Sequence, residues 1–318
     1  MTRAAPGRLR LATRKSQLAR WQTDHVAARL RTLHPGLEIE IVEVVTTGDQ
    51  VRDRALAEIG ERGLFTKELE RCLLEGRADL AVHSLKDLET TLPAGLDLLA
   101  VPERADPREA LLSRHGLGLT ALPAGARVGT SSIRRRAQLL ALRPDLAVED
   151  LRGNVPTRVA RVERGAGGLE AILLARAGLE RLGLLDRVTE VLEPDRILPA
   201  VGQGALAIEG PAGDGRVRAL VAPLDHADTR RAILAERAFL RALHGGCQVP
   251  AGALARLAGD TLVLDGLVCA LDGRAVFRDR AAGRPAEAEA IGTRLAEALL
   301  ARGAGEVLAD VEARFRLE

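Results

Sequence analysis

The chain has 318 residues, which is enough for two or three domains that each bury their own core. Hydrophobic residues make up 47% and charged residues 28% of it, and no apolar run approaches the roughly 20 residues of a membrane span. We therefore expect a soluble globular protein with no membrane partner. The formal net charge of +2 and the scarcity of aromatic side chains argue against nucleic acid as a partner.

Cysteine and lysine are both rare in this chain. The three cysteines show no metal-like spacing, so we predict reduced thiols in the cytoplasm and no metal site. The first ten residues contain no apolar signal-peptide core, which agrees with a cytoplasmic location. Lysine occurs only at Lys15, Lys67 and Lys86, so arginine is the ordinary cation here. Only arginines at special backbone positions therefore indicate a binding site.

The beginning of the chain predicts a βαβ unit. Residues 9–12 are typical of a strand, Ser16 of a helix cap, and residues 38–45 alternate polar and apolar side chains as a second strand does. Arg14 and Lys15 follow the first strand just ahead of the helix, where α/β units place ligand sites. They form either a solvated basic turn or an anion site.

A loop and a polar cluster follow. Residues 46–63 show no periodicity and predict a mobile lid or plain disorder, and Phe65, at the edge of the next helix, either packs in the core or covers a ligand. Residues 78–82 predict a strand that leads into residues 83–87, His-Ser-Leu-Lys-Asp, the densest group of chemically capable side chains. Its place after a parallel strand favours a functional site over a polar helix start.

After a hinge at residues 102–107, the same pattern begins again. We predict a strand at residues 126–129, a hydroxyl turn at 130–132 and a helix at 133–142. The first turn of that helix carries three arginines at 134–136. Each cation at a helix N-terminus is disfavoured by roughly 0.3–1 kcal/mol, so the cluster predicts that an anion binds there.

The remaining pattern predicts a two-part cleft and a third domain. Arg152 and Arg158 flank Asn154, which we expect to cap another helix. Two α/β halves with arginines at helix starts predict a cleft for a ligand with several carboxylates or phosphates. Residues 199–208 return the chain to the first half, and a small α+β domain follows from about residue 223. There Cys247 sits on a glycine turn and is either chemically used or inert.

Seven motifs, in order along the chain, resemble those of the hydroxymethylbilane synthase (porphobilinogen deaminase) family. They are Ala12-Thr13-Arg14-Lys15-Ser16, Gly63-Leu64-Phe65-Thr66-Lys67-Glu68-Leu69, Ala81-Val82-His83-Ser84-Leu85-Lys86-Asp87, Gly129-Thr130-Ser131-Ser132-Ile133-Arg134-Arg135, Leu151-Arg152-Gly153-Asn154-Val155, Pro199-Ala200-Val201-Gly202-Gln203-Gly204-Ala205 and Gly245-Gly246-Cys247-Gln248-Val249-Pro250. The resemblance implies two α/β domains folded like periplasmic binding proteins and a smaller α+β domain. The implied boundaries are 1–103 plus 199–222, 104–198, and 223–318.

The resemblance also implies the reaction and its residues. Four porphobilinogen molecules would condense with loss of ammonia on a dipyrromethane cofactor, held by a thioether to Cys247, to give the tetrapyrrole hydroxymethylbilane of porphyrin and heme biosynthesis. Asp87 matches the catalytic aspartate. The other cofactor-binding matches are Ser84, Lys86, Thr130, Ser131, Ser132, Arg134, Arg135, Arg152, Gly153 and Arg158. The substrate-binding matches are Arg14, Ser16, Phe65 and Arg181.

The implied chemistry agrees with the residue types. Expulsion of an amine from an electron-rich pyrrole leaves a positive charge that needs a nearby carboxylate, and each ring carries two carboxylates that need arginines. Two other interpretations remain: a non-catalytic anion-binding protein with the same double fold, and a nucleic-acid binder that uses the arginines at 134–136. We expect a cytoplasmic monomer.

Overall fold

The computed structural model describes residues 7–46, 66–243 and 249–316, which form two compact units. Of these residues, the first unit comprises 7–46, 66–105 and 205–230, and the second comprises the others. The strands are β1 (Arg8–Arg14), β2 (Glu38–Val44), β3 (Leu80–Ser84), β4 (Leu96–Ala100), β5 (Glu109–Ser113), β6 (Arg127–Gly129), β7 (Ala147–Glu149), β8 (Leu169–Ala175), β9 (Glu190–Leu192), β10 (Leu206–Pro211), β11 (Ala251–Ala258), β12 (Thr261–Cys269) and β13 (Val276–Gly283). The α-helices are α1 (Gln17–Leu33), α2 (Lys67–Leu74), α3 (Ile133–Leu142), α4 (Val155–Glu163), α5 (Arg176–Arg181), α6 (Gly215–Val221), α7 (Ala227–Ala242), α8 (Ala288–Leu299) and α9 (Gly305–Arg316).

The first unit is built on a sheet in the order β2-β1-β3-β10-β4. β1 pairs in parallel with both β2 and β3, which confirms the predicted βαβ unit. β10 lies antiparallel between β3 and β4, so the chain does return to this unit after residue 204, as predicted. One core cluster places Leu30 of α1 against Leu9 and Leu80, and another places Leu69 of α2 against Ala81. The sheet is thus covered on both faces.

The second unit repeats this strand order. Its first sheet runs β7-β6-β8-β5-β9, with β6 parallel to β7 and β8 and with β5 antiparallel to β8. In each sheet one strand, β10 in the first and β5 in the second, therefore runs antiparallel to both of its neighbours. Leu139 of α3 packs with Val128 and Leu173, while Val159 and Val162 of α4 belong to a second cluster with Ile172.

A separate antiparallel sheet, β11-β12-β13, also belongs to the second unit. Its core contains Phe239 of α7 together with Leu264 of β12 and Leu295 of α8. The predicted fold class, two α/β sheets followed by a smaller α+β part, is confirmed. The exact domain boundaries remain a prediction. Among the helices described here, none has the length and the apolar character that crossing a membrane requires.

Candidate functional site

The first group of predicted site residues lies at the carboxyl edge of the first sheet. β1 ends at Arg14 and β3 ends at Ser84, and the two strands are parallel neighbours. Since parallel strands end at the same edge, Arg14 and the segment after Ser84 lie on the side of the sheet where α/β proteins bind ligands. Their part in binding a ligand remains a prediction.

Asp87 stands at the end of a single 3₁₀ turn, Leu85–Asp87, directly after β3. Leu85 and Leu88 are buried on either side of it, and the Leu85 N–H donates to the Ala205 carbonyl at 3.0 Å. The half-buried Asp87 side chain has no hydrogen bond or ion pair to any other residue that the structure describes. The turn therefore fixes the backbone of Asp87 while its carboxylate stays available to a ligand.

Ser84 and Ser16 differ in what holds their hydroxyl groups. Nε2 of the buried Gln22, on α1, donates to Ser84 Oγ at 2.7 Å. Because that oxygen accepts from Gln22, its own proton is free to be donated elsewhere. The Ser16 oxygen accepts from the Ala19 N–H at 3.3 Å and caps α1, as the sequence predicts. Lys86, which comes directly before Asp87 in the sequence, is half-buried.

The hydroxyl turn of the second unit is organised mainly by contacts within that unit. Ser132 caps α3 by accepting from the Arg135 N–H, and its own N–H donates to Thr130 Oγ1 at 3.2 Å. Ser131 Oγ donates to the Leu151 carbonyl at 2.7 Å. These bonds hold residues 130–132, the connection between β6 and the first turn of α3, in one conformation.

Arg134 and Arg135 are both buried and share one buried carboxylate. Arg134 Nη2 lies 2.5 Å from Glu109 Oε1, and Arg135 Nη2 lies 2.8 Å from Glu109 Oε2. The remaining bonds include Arg134 Nη1 to the Leu198 carbonyl at 2.6 Å and Arg135 Nη1 to the Leu173 carbonyl at 3.2 Å. Burial lowers the pKa of Arg134. The pair carries two positive charges against one carboxylate, which leaves an excess of positive charge.

The other predicted arginines of the second unit are less deeply placed. Asn154 Oδ1 accepts from the Thr157 N–H at 3.0 Å and caps α4, as predicted, and Gly153 before it has φ +115°, which favours glycine. Arg158 Nε donates to the Gly153 carbonyl at 2.6 Å, and the half-buried Arg181 donates to the Gly204 carbonyl at 2.7 Å. Burial lowers the pKa of Arg181 to about 10, so it remains charged at neutral pH.

Two family models match this chain in succession. Residues 9–219 match the model described as porphobilinogen deaminase, dipyromethane cofactor binding domain. Residues 230–301 match the model described as porphobilinogen deaminase, C-terminal domain. Together the two matches extend over almost all the residues that the structure describes.

Curated relatives give the same result over nearly the full length. The porphobilinogen deaminase of Moorella thermoacetica is 53% identical over 96% of this chain and 97% of its own. That of Stenotrophomonas maltophilia is 55% identical over 94% of this chain and 98% of its own, and that of Syntrophotalea carbinolica is 51% identical over 96% of both. The chain belongs to the porphobilinogen deaminase family.

Likenesses to solved structures are more distant. The cofactor-binding domain of the Cbl transcriptional regulator aligns with 16% identity and a TM-score of 0.44, covering 71% of this chain and 90% of that one. The methionine binding protein MetQ aligns with 12% identity and a TM-score of 0.42, covering 68% and 89%. At such values these likenesses carry no functional inference.

Two predicted residues lie outside the described part of the chain: Cys247, in residues 244–248, and Phe65, in residues 47–65. The cysteines that are described, Cys72 and Cys269, are fully buried and free. Burial raises the pKa of the Cys72 thiol, and that of Cys269 to about 12, so both are poor nucleophiles at neutral pH. Both are therefore structural residues of the core.

Three polar residues next to the predicted site residues were not identified from the sequence: Gln22, Glu109 and Glu209. Gln22 is one polar residue in an amphipathic helix, and nothing in its spacing links it to Ser84. Glu109 opens an apolar strand, where a buried charge signals a partner, but its arginines lie 25 and 26 residues further on. Glu209 pairs with His83 from 126 residues away. Such pairings depend on the topology.

Proposed function

We propose that this chain is a hydroxymethylbilane synthase, which joins four porphobilinogen molecules head to tail with loss of ammonia and releases hydroxymethylbilane. The observation that carries this is the match to porphobilinogen deaminases at 51–55% identity over at least 94% of the chain. The two rival interpretations, a plain anion-binding protein and a nucleic-acid binder, do not account for a match of that extent.

The side chains fit a dipyrromethane cofactor, whose rings offer carboxylates and pyrrole N–H groups. In the second unit, Arg134 and Arg135 share a single carboxylate among the residues that the structure describes, which suits an incoming anion. In the first unit, the Asp87 carboxylate has no partner among the described residues and suits N–H donors. When bound, this cofactor supplies the primer pyrrole to which each new ring is joined.

Charge recognition is the first task of the protein side chains. Each porphobilinogen ring carries two carboxylates, and an arginine that binds one bidentately contributes about 1.5–3 kcal/mol. We assign carboxylate binding for the cofactor to Arg134, Arg135, Arg152 and Arg158, and for the incoming substrate to Arg14 and Arg181. We assign supporting contacts to a further set of polar, small and aromatic residues. They are Ser16, Phe65, Ser84, Lys86, Thr130, Ser131, Ser132 and Gly153.

The second task is to manage charge and protons at the reacting carbon. The bond between the methylene carbon and the nitrogen of the protonated aminomethyl group breaks, ammonia leaves with the bonding electron pair, and positive charge remains on the pyrrole. The Asp87 carboxylate stabilises this charge by accepting a hydrogen bond from the ring N–H. When the new carbon–carbon bond forms, the proton displaced from the attacking ring passes to Asp87 and then to solvent.

Mass spectrometry tests the covalent part of this proposal. The intact protein should exceed its sequence mass by one dipyrromethane unit, and Cys247→Ser should have the sequence mass alone. Incubation with porphobilinogen should yield hydroxymethylbilane with the parent protein and none with Cys247→Ser. A parent protein of sequence mass that makes no hydroxymethylbilane when given porphobilinogen would contradict the proposal.

We also propose that the enzyme acts as a cytoplasmic monomer without nucleic acid. The small net charge of +2 and the free thiols of Cys72 and Cys269 support this. Sedimentation of the purified protein at several concentrations, with and without added oligonucleotide, tests it: one species of about 33.9 kDa is expected in every case. A larger species would contradict the monomer, and co-sedimentation with oligonucleotide would contradict the absence of nucleic acid.

A further inference from the structure

Three titratable side chains are buried together beneath the strand that leads to Asp87. His83 of β3 and Glu209 of β10 are 5% and 0% exposed, and His83 Nε2 lies 2.9 Å from Glu209 Oε2. Glu70 of α2 is 7% exposed and lies close enough to interact electrostatically with both. None of the three is among the residues assigned to substrate or cofactor above.

The strand register explains how the three come together. In the β3–β10 pair His83 lies opposite Ala207 and Glu209 lies opposite Ala81, so His83 and Glu209 are diagonal neighbours on one face of the sheet. Ala81 belongs to the core cluster that packs against Leu69 of α2. Side chains alternate along a strand, so His83 also faces α2. Glu70 follows Leu69 on α2, and its carboxylate interacts electrostatically with both members of the histidine–carboxylate pair.

The carboxylates of this cluster have more buried oxygen atoms than hydrogen-bond donors among the described residues. Glu209 Oε1 and Glu70 Oε1 are both buried with no hydrogen-bond partner among the described residues. Two buried carboxylates beside one imidazole would leave uncompensated negative charge, which is costly in a low-dielectric interior. A proton kept on Glu70 removes that charge and turns one oxygen into a donor.

The surroundings of Glu70 favour the neutral acid. Burial is the main cause that raises its pKa, followed by the charge of Glu209, with a smaller contribution from Glu89, while the Thr66 hydroxyl and His83 favour the charged form and act in the opposite direction. The charged groups that act on Glu70 thus come from β3, from β10 and from the segment after Asp87.

We propose that Glu70, His83 and Glu209 form a buried cluster in which Glu70 is protonated at neutral pH and acts as a positioning residue for the Asp87 turn. Asp87 lies four residues after His83, and Leu85 between them is bonded to Ala205, just before β10. The cluster thus ties both strands that hold the turn to α2. This role rests on the proposed function, whereas the protonation of Glu70 does not.

The protonation predicts an unusual sign for one substitution. Folding raises the pKa of Glu70 above its value in the unfolded chain, near 4.5. The folded protein therefore loses stability as the pH rises from that unfolded-state pKa through the folded-state pKa. Glu70→Gln, which has the shape of the neutral acid, should therefore raise the thermal midpoint at pH 7 by about 2 °C or more. It should also flatten the decline in thermal midpoint as the pH rises from 5 to 9.

Thermal unfolding and infrared spectra of the parent, Glu70→Gln and Glu75→Gln test the protonation. Glu75 is the matched control, an exposed carboxylate at the end of the same helix. The carbonyl absorption of a buried carboxylic acid should be present at pH 7 in the parent and in Glu75→Gln and absent in Glu70→Gln. A lower midpoint or failure to fold in Glu70→Gln, or no such absorption in the parent, would overturn the proposal.

The pH profile of hydroxymethylbilane formation tests the positioning role. At pH 7 the kcat of Glu70→Gln should equal that of the parent within about twofold. Above that pH the parent should lose kcat as Glu70 ionises beside Glu209, and Glu70→Gln should lose less, with KM unchanged in both. Identical profiles would remove the positioning role. Because the midpoints and spectra need no turnover, a failure of the proposed function would leave the protonation test intact.

Discussion

Three carboxylates illustrate how surroundings decide what one functional group does in this protein. Glu109 is fully buried and holds the guanidinium groups of Arg134 and Arg135. Glu209 is equally buried, and its Oε2 lies 2.9 Å from His83 Nε2. Asp87 is half-buried and has no partner among the described residues. A carboxylate already bonded to cations cannot readily serve a developing cation on a substrate, so of these three we propose Asp87 for catalysis.

Replacing Asp87 by asparagine keeps the shape of the side chain and removes its charge. We expect kcat to fall by about 10²–10⁴-fold, because the proton acceptor and the stabilising charge are both lost. Thermal stability and the mass of the bound dipyrromethane should remain those of the parent. Asp24→Asn, at an exposed ion pair on α1, is the control and should leave kcat unchanged. Steady-state hydroxymethylbilane formation measures both, and near-normal turnover by Asp87→Asn would contradict the assignment.

Replacing Glu109 by glutamine leaves two buried guanidinium groups without a charged partner. Removing one partner of a buried ion pair costs about 3–5 kcal/mol, so the free energy of unfolding in urea should fall by about that amount. Glu149→Gln is the control, because Glu149 pairs with Arg127 at the surface and such pairs contribute about 0–1 kcal/mol. Equal losses in the two variants would show that Glu109 does not support the arginine pair.

At the scale of single residues, the sequence identifies groups whose role is local. The caps Ser16 and Asn154 could be predicted because their partners lie three residues away. The anion predicted for the arginines of α3 is in part Glu109 of the same chain. The spacing of residues along the chain could not identify that carboxylate, because β5, which carries Glu109, meets α3 only once the sheet has formed. Long-range polar pairs are set by topology.

At the scale of elements, length and periodicity decide what can be predicted. β1, β2, β3 and β6 match predicted strands to within about two residues at each end. β7 and β9 have three residues each and are too short to show an alternation. β5 was also missed, because it begins with a charged residue soon after the Pro107 hinge. Its reversed direction mirrors that of β10 in the other sheet.

The close contact between α7 and α8 gives a prediction at this scale. A Cβ on Gly292 of α8 would lie 2.2 Å from the Ala235 carbonyl oxygen and 2.8 Å from the Phe239 nitrogen, both in α7. Since backbone cannot move aside cheaply, Gly292→Ala should destabilise the protein by at least about 2 kcal/mol despite the better helix propensity of alanine.

The matched control is Gly305→Ala at the start of α9, where the nearest atom would be 3.7 Å away. There the helix propensity of alanine acts without a clash, so a change between zero and about 1 kcal/mol in favour of folding is expected. Urea unfolding of both variants decides between them. If Gly292→Ala were as stable as Gly305→Ala, the two helices would not be in the close contact described.

At the scale of the whole molecule, the family was recognisable because seven short motifs occur in order, and the family models and the curated relatives confirm it. Four of the motifs, residues 12–16, 81–87, 129–135 and 151–155, lie where a strand ends or a helix begins, and there backbone conformation and ligand chemistry both restrict the residue type. The domain boundaries stay a prediction. The second sheet and the last sheet belong to one compact unit, so contacts within the chain do not separate them.

A thiol titration of the untreated protein brings these observations together. The chain has three cysteines, and two of them, Cys72 and Cys269, are fully buried with raised pKa values. If Cys247 carries dipyrromethane through a thioether, the native protein should show no rapidly reacting thiol and the denatured protein should show two, since denaturation does not break that bond. Cys247→Ser should give the same two thiols after denaturation, but with the sequence mass. Three reactive thiols in the denatured parent would mean that Cys247 is unmodified, and the tethered primer on which the proposed function depends would be absent.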